Sequence, residues 1–120
     1  MGLNAAGGME LAPNVLSGTI TGTAGSTASN TSFQQMLGEF NATISGTWAG
    51  ATIQLQKSFD GGATWVPATI DGAGNPAAYT ANASVVVQEP ESGVYYRWQP
   101  TVALSSGTVA WRISGGARVT

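Results

Sequence analysis

From Ser32 onward, apolar and polar residues alternate with period two, and no other feature of the chain so narrows what it can fold into. In Gly38–Trp48, Phe40, Ala42, Ile44 and Trp48 share one parity, with Asn41, Thr43 and Ser45 between them. Ala51–Phe59 sets Ile53, Leu55 and Phe59 against Thr52, Gln54 and Gln56. Val94–Leu104 sets Val94, Tyr96, Trp98, Val102 and Leu104 against Tyr95, Arg97, Gln99 and Thr101. Gly107–Ser114 sets Val109, Trp111 and Ile113 against Thr108, Ala110 and Arg112. Successive side chains of a strand point to opposite faces, so each run predicts a strand with one face in a core and one toward water or a partner. Shorter strands are expected at Trp65–Ile70, Ser84–Gln88 and Phe33–Leu37. Turn signals fall between the runs at Ala49-Gly50, Asp60-Gly61-Gly62, Asp71–Pro76, Glu89–Gly93 and Ser105–Gly107. Short strands with turns about every 8–12 residues and no helical period predict an all-β fold, an antiparallel β-sandwich that is immunoglobulin-like or jelly-roll-like. The brief connections at 49–50 and 105–107 further predict two hairpins, 38–48 with 51–59 and 94–104 with 107–114.

The first 31 residues read differently. They hold one charge (Glu10), no aromatic residue, and the tract SGTITGTAGSTASNT from Ser17 to Thr31. Glycines spaced among Ser and Thr resist regular helix and predict an extended N-terminal arm over 1–31, ahead of a sandwich domain over 32–120. Leu3, Met9, Leu11, Val15, Leu16 and Ile20 punctuate the arm, and a purely solvating linker would not need them. They are the expected contact points with a partner, at a reach of up to ~100 Å if fully extended. On this reading, a chain without residues 1–31 still folds but no longer binds.

Composition removes whole classes of chemistry. The chain has no Cys and no His, which excludes disulfide scaffolds, thiolate or imidazole metal sites and any Ser-His or Cys-His catalytic pair. Four basic and six acidic residues give a net charge of −2, without the basic footprint of a nucleic-acid binder. No run approaches the ~20 apolar residues of a membrane helix, and residues 1–16 lack the basic and apolar regions of a secretion signal. A soluble product of the cytoplasm is expected, without metal or other cofactor. Glu89 and Glu91 are the only paired carboxylates, and six acids placed mostly in turns read as turn residues rather than catalysts. Of the four tryptophans, Trp48, Trp98 and Trp111 share parity with aliphatic neighbours, which predicts core packing rather than sugar stacking.

Two local strings carry structural meaning. Ser58–Trp65, SFDGGATW, resembles the Asp-box pattern S-x-D-x-G-x-T-W of sialidases and other secreted β proteins. Physically it describes a structural turn over Ser58, Asp60, Gly62, Thr64 and Trp65, in which the Asp60 carboxylate accepts backbone N–H bonds, the glycines permit positive φ and Trp65 packs beneath. The resemblance implies a staple remote from catalysis. Glu91–Trp98, ESGVYYRW, resembles the tyrosine-corner strand of immunoglobulin variable domains, with Arg97 where those carry cysteine. It implies a strand whose entry is anchored by tyrosine.

A broader likeness covers Thr52–Ser114. IQLQKSFDGGATWVPAT, SVVVQEPESGVYYRW and SGTVAWRIS resemble short β-sandwich proteins encoded among the structural genes of tailed bacteriophages and prophages. The shared features are Lys57 before Ser58–Trp65, then Glu89–Arg97, then Ser106–Ser114; Gln88 departs from the acidic residue more usual there. The resemblance implies a virion structural protein rather than an enzyme: a capsid decoration or cement protein, made in the host cytoplasm. Its partners would be the major capsid protein and copies of itself, with no nucleic acid and no membrane. The alternative it implies is a tail or receptor-contacting appendage whose sandwich binds a glycan.

Overall fold

A computed structural model describes residues 11–21, 32–70 and 74–119. Among them the chain forms nine strands and no helix. These are β1 (Leu11–Thr21), β2 (Gln34–Gln35), β3 (Gly38–Gly46), β4 (Thr52–Ser58), β5 (Val66–Pro67), β6 (Ala78–Tyr79), β7 (Ala83–Glu89), β8 (Tyr95–Val102) and β9 (Thr108–Val119). They make two antiparallel sheets packed face to face, a β-sandwich. Sheet I runs β1-β9-β3-β7; sheet II runs β2-β8-β4-β5, with β6 on the same flank of β4 as β5.

The expected parities are seen in the burial of most side chains, but Phe59 and Val102, expected on the inner faces, lie just past β4 and at the end of β8 and are exposed. Phe40, Ala42 and Ile44 of β3, Ile53 and Leu55 of β4, Tyr96 and Trp98 of β8, and Val109, Trp111 and Ile113 of β9 all close on one core. Phe40 meets Tyr96 edge-on with ring centroids 4.7 Å apart, tying sheet I to sheet II. Each large apolar side chain fully withdrawn from water stabilises the sandwich by about 1.5–3 kcal/mol before entropy is counted, so this cluster is what holds the two sheets together.

Both expected hairpins are absent. The short turns exist, and Ala49 and Gly50 take the positive φ values of 46° and 81° that a tight turn asks of them. Ala51 N–H closes that turn on Trp48 C=O at 2.8 Å. Yet β3 lies in sheet I and β4 in sheet II, and likewise β8 and β9 lie in different sheets. The reason is that every flank is already taken. β3 is held between β9 and β7, and β4 between β8 and β5/β6. β8 is held between β2 and β4, and β9 between β1 and β3. With no ladder left to close, each turn becomes an arch that carries the chain across the core. The arches lie side by side: Ser105 N–H and its hydroxyl both donate to Ala49 C=O, at 3.3 and 3.1 Å. Gly107, at φ 77°, sits so close to Thr47 that an added Cβ would stand 2.8 Å from that side chain.

The N-terminal segment also enters the sandwich. Within the span read as an arm, residues 11–21 form β1, antiparallel to β9 with a register shift between Pro13 and Val15. Period two holds here too: Asn14, Leu16, Gly18 and Ile20 turn toward the other sheet, while Val15, Ser17 and Thr19 turn out. Gly18 is small for a reason, because a Cβ there would lie 2.8 Å from the indole of Trp111. Removing residues 1–31 therefore removes a strand of sheet I, not only a tether. Residues 1–10 and 22–31 lie outside the described residues.

Candidate functional site

Of the six apolar residues expected to contact a partner, the four that lie among the described residues do not share one surface. Leu16 and Ile20 pack against the core, Val15 is exposed on the outer face of sheet I, and Leu11 opens β1 opposite Val119. Leu3 and Met9 lie outside the described residues.

The Asp-box-like turn gathers all five of its expected residues. Ser58 is wholly buried at the end of β4, and its hydroxyl donates to Asp60 Oδ1 at 2.7 Å while accepting from Gly62 N–H at 2.9 Å. Asp60 Oδ1 also accepts from Thr64 N–H at 2.8 Å. These bonds, led by the one from Ser58, lower the Asp60 carboxyl to a pKa of about 2. Gly61 and Gly62 take positive φ, and Trp65 Nε1–H closes the loop on Gly62 C=O at 2.9 Å. Asp60 Oδ1 and the Ser58 hydroxyl are thus engaged with the loop's own backbone and with each other. Among the described residues, no group of three or more Asp, Glu, His or Cys is placed to hold a metal ion.

Above this turn, the outer face of sheet II carries a cluster that period-two reasoning scattered over four separate segments. Phe33 stands over Gly62, with its ring 5.4 Å from Trp65 and 5.5 Å, edge-on, from Tyr95. The Arg97 guanidinium lies 4.3 Å from the Trp65 ring centroid and its Nε donates to Gln56 Oε1 at 2.9 Å. Gln56 in turn donates to Gln54 Oε1. Burial lowers the Arg97 pKa from its ordinary value. The result is a π-cation stack bordered by amide groups. Outward parity of Tyr95, Arg97, Gln54 and Gln56 was visible in the sequence; the meeting of Phe33 with Trp65 was not, because both were expected to open strands and instead lie in loops just before β2 and β5.

Glu89 closes β7 and Glu91 lies in the turn that follows it. Glu89 is buried, accepts from Tyr96 Oη–H at 2.7 Å and from Glu91 N–H at 3.0 Å, and has Lys57 Nζ at 3.8 Å. Glu91 is an exposed turn residue whose backbone caps Glu89, so the two do not face each other across a cleft. Trp98 and Trp111 are core residues. Trp48 packs against the core while its Nε1–H donates to Asn82 Oδ1 at 2.8 Å, an oxygen that also accepts from Gly46 N–H.

The outer face of sheet I is the second surface of note. Reading across its strands, it presents Val15, Ser114, Asn41 and Val86, then Ser17, Arg112, Thr43 and Ser84, then Thr19, Ala110 and Ser45. Its side chains are short and mostly neutral, with Arg112 and, at the rim, Glu39 as the formal charges among the described side chains. No family model, curated protein or solved structure matches the chain.

Proposed function

We propose that the chain is a structural assembly protein that works by binding rather than catalysis, and specifically a capsid decoration or cement protein of a tailed-phage virion. The observation that carries this reading is the outer face of sheet I, where Ser, Thr, Asn and Ala predominate, with Val15 and Val86 on its outer strands and Arg112 as its one central charge. Free monomers usually cover such a face with mixed charges for solubility. A short-chain, neutral face costs little to desolvate and little side-chain entropy to order, which suits contact with a protein lattice. The likeness of Thr52–Ser114 to phage structural proteins supplies the particular lattice, the major capsid protein. Arm contact on this reading falls to Leu3 and Met9, since Leu16 and Ile20 serve the sandwich core. The test is co-sedimentation of purified protein with expanded capsids. Stoichiometric binding that is lost in a Thr43→Glu/Thr19→Glu variant is the expected result; absence of binding by the intact protein rejects the reading.

The cluster on sheet II favours a second reading, a glycan-binding appendage. Trp65, Arg97, Gln54 and Gln56 combine an aromatic ring with amide and guanidinium donors, the kind of surface that takes a sugar ring. Saturable binding on a glycan array, lost on Gln56→Ala and retained on Trp48→Ala, would favour it over the capsid role.

A further inference from the structure

The four sheet edges of the sandwich are not alike. β1 is interrupted by Pro13 and a register shift, β2 is two residues long, and the β5/β6 edge consists of two-residue pieces with Pro67 in one of them. These are the usual ways of making an edge unfit to pair with another chain. β7 has none of them. Ala83–Glu89 keeps unbroken register with β3 over seven residues, contains no proline and no Lys or Arg, and has Val at 85, 86 and 87. Its one charge, Glu89, is turned inward and held by Tyr96, Glu91 and Lys57. No strand covers its other flank among the described residues, and Val86 is 59% exposed. A groove of about 580 Å³ lies against Val86, Val87 and Gln88, between them and Thr69 and Ile70, so the edge has space beside it.

We infer that β7 is the self-association edge of this protein: two copies join β7 to β7 antiparallel about a two-fold axis at Val86, making one eight-stranded sheet from two copies of sheet I. The sequence of β7 fits itself in that register. Val86 meets its own copy on the outer face, Ser84 faces Gln88, and Val85 faces Val87 on the core side, with no like charges opposed. A two-fold interface must be self-complementary in this way, and β7 is so in this register, with its one charge, Glu89, held inward by Tyr96 and Lys57. The inference takes from the assembly reading only that copies meet. Its failure would leave capsid binding as it stands, and loss of capsid binding would leave it untouched.

The absence of native cysteine makes the register directly testable. Residues opposed across antiparallel strands have Cα atoms about 4.5–5.5 Å apart, within disulfide range whichever kind of pair they form. Val86→Cys is expected to give a disulfide-linked dimer under mild oxidation. Ser84→Cys alone is not, because its own copy lies about 14 Å away along the strand. An equimolar mixture of Ser84→Cys and Gln88→Cys proteins is expected to cross-link as a heterodimer. Independently, the native protein should sediment at twice its 12.1 kDa chain mass, and Val86→Lys, which opposes two charges at an exposed position, should return it to monomer with unchanged circular dichroism. A monomeric native protein, a dimer indifferent to Val86→Lys, or equal cross-linking at 84 and 86 overturns the inference.

Discussion

The phenolic hydroxyl of Tyr96 donates to Glu89 Oε1 over 2.7 Å inside the sandwich, seven residues back along the chain. A buried carboxylate is tolerated only where its oxygens are satisfied, and here Tyr96, the Glu91 amide and the Lys57 ammonium do so together. Tyr96→Phe keeps the ring against Phe40 but removes the donor. It is expected to cost about 1.5–3 kcal/mol, the range for a hydrogen bond to a charged group, measured by urea unfolding at neutral pH.

The same pair sets an alkaline limit. Burial first, and then the bond to Glu89 and its charge, push the Tyr96 pKa above the ordinary phenol value. The unfolded chain therefore releases this proton at lower pH than the folded one. The stabilisation is whole below about pH 10 and drains away as pH rises above it. Urea midpoints should fall through that range in the native protein and fall less in Tyr96→Phe.

Asp60 sets a limit of the opposite sign. Its pKa of about 2 lies below the unfolded value, so its contribution is present above about pH 4 and is lost as pH falls toward 2. NMR titration should show the Asp60 carboxylate ionised to about pH 2, with amide protection at Gly62 and Thr64 weakening as pH falls from about 4 toward 2. Asp60→Asn should make exchange at Thr64 faster at neutral pH without unfolding the core.

Gly18→Val tests whether β1 belongs to the sandwich. The added side chain would start 2.8 Å from the Trp111 indole, and overpacking of this kind costs about 1–3 kcal/mol. Trp111→Phe frees that space, so the pair should be less destabilised than the sum of the singles, a coupling visible in a double-mutant cycle.

Which residues face the core was largely legible in the sequence, failing at strand ends such as Phe59 and Val102; which strands pair was not. The parity of Phe40, Ala42 and Ile44, or of Tyr96 and Trp98, follows from the pleat alone. A hairpin through Ala49-Gly50 would set Ile44 opposite Leu55, both inward, and the observed arch also leaves both inward. Alternation therefore satisfies either topology, and occupancy of the flanks decides between them. β1 escaped notice because Gly18 and its Ser and Thr neighbours have flexible-linker composition, whereas Gly18 is there to clear Trp111. The aromatic stack was hidden for a related reason: Arg97 stands on β8, but Phe33 and Trp65 reach it from loops, where sequence separation carries no register.

The two arches have a consequence for how the molecule is made. Among the long strands, every neighbour in sheet I is distant in sequence, and β9 lies between β1 and β3. Sheet I cannot close until residues 108–119 have left the ribosome. Loop-closure entropy is spent before those pairings form, which places the chain among slow folders of high contact order. Until then, β3 and β1 each wait with an unfilled flank, and the nascent protein depends on its last strand to become a sandwich at all.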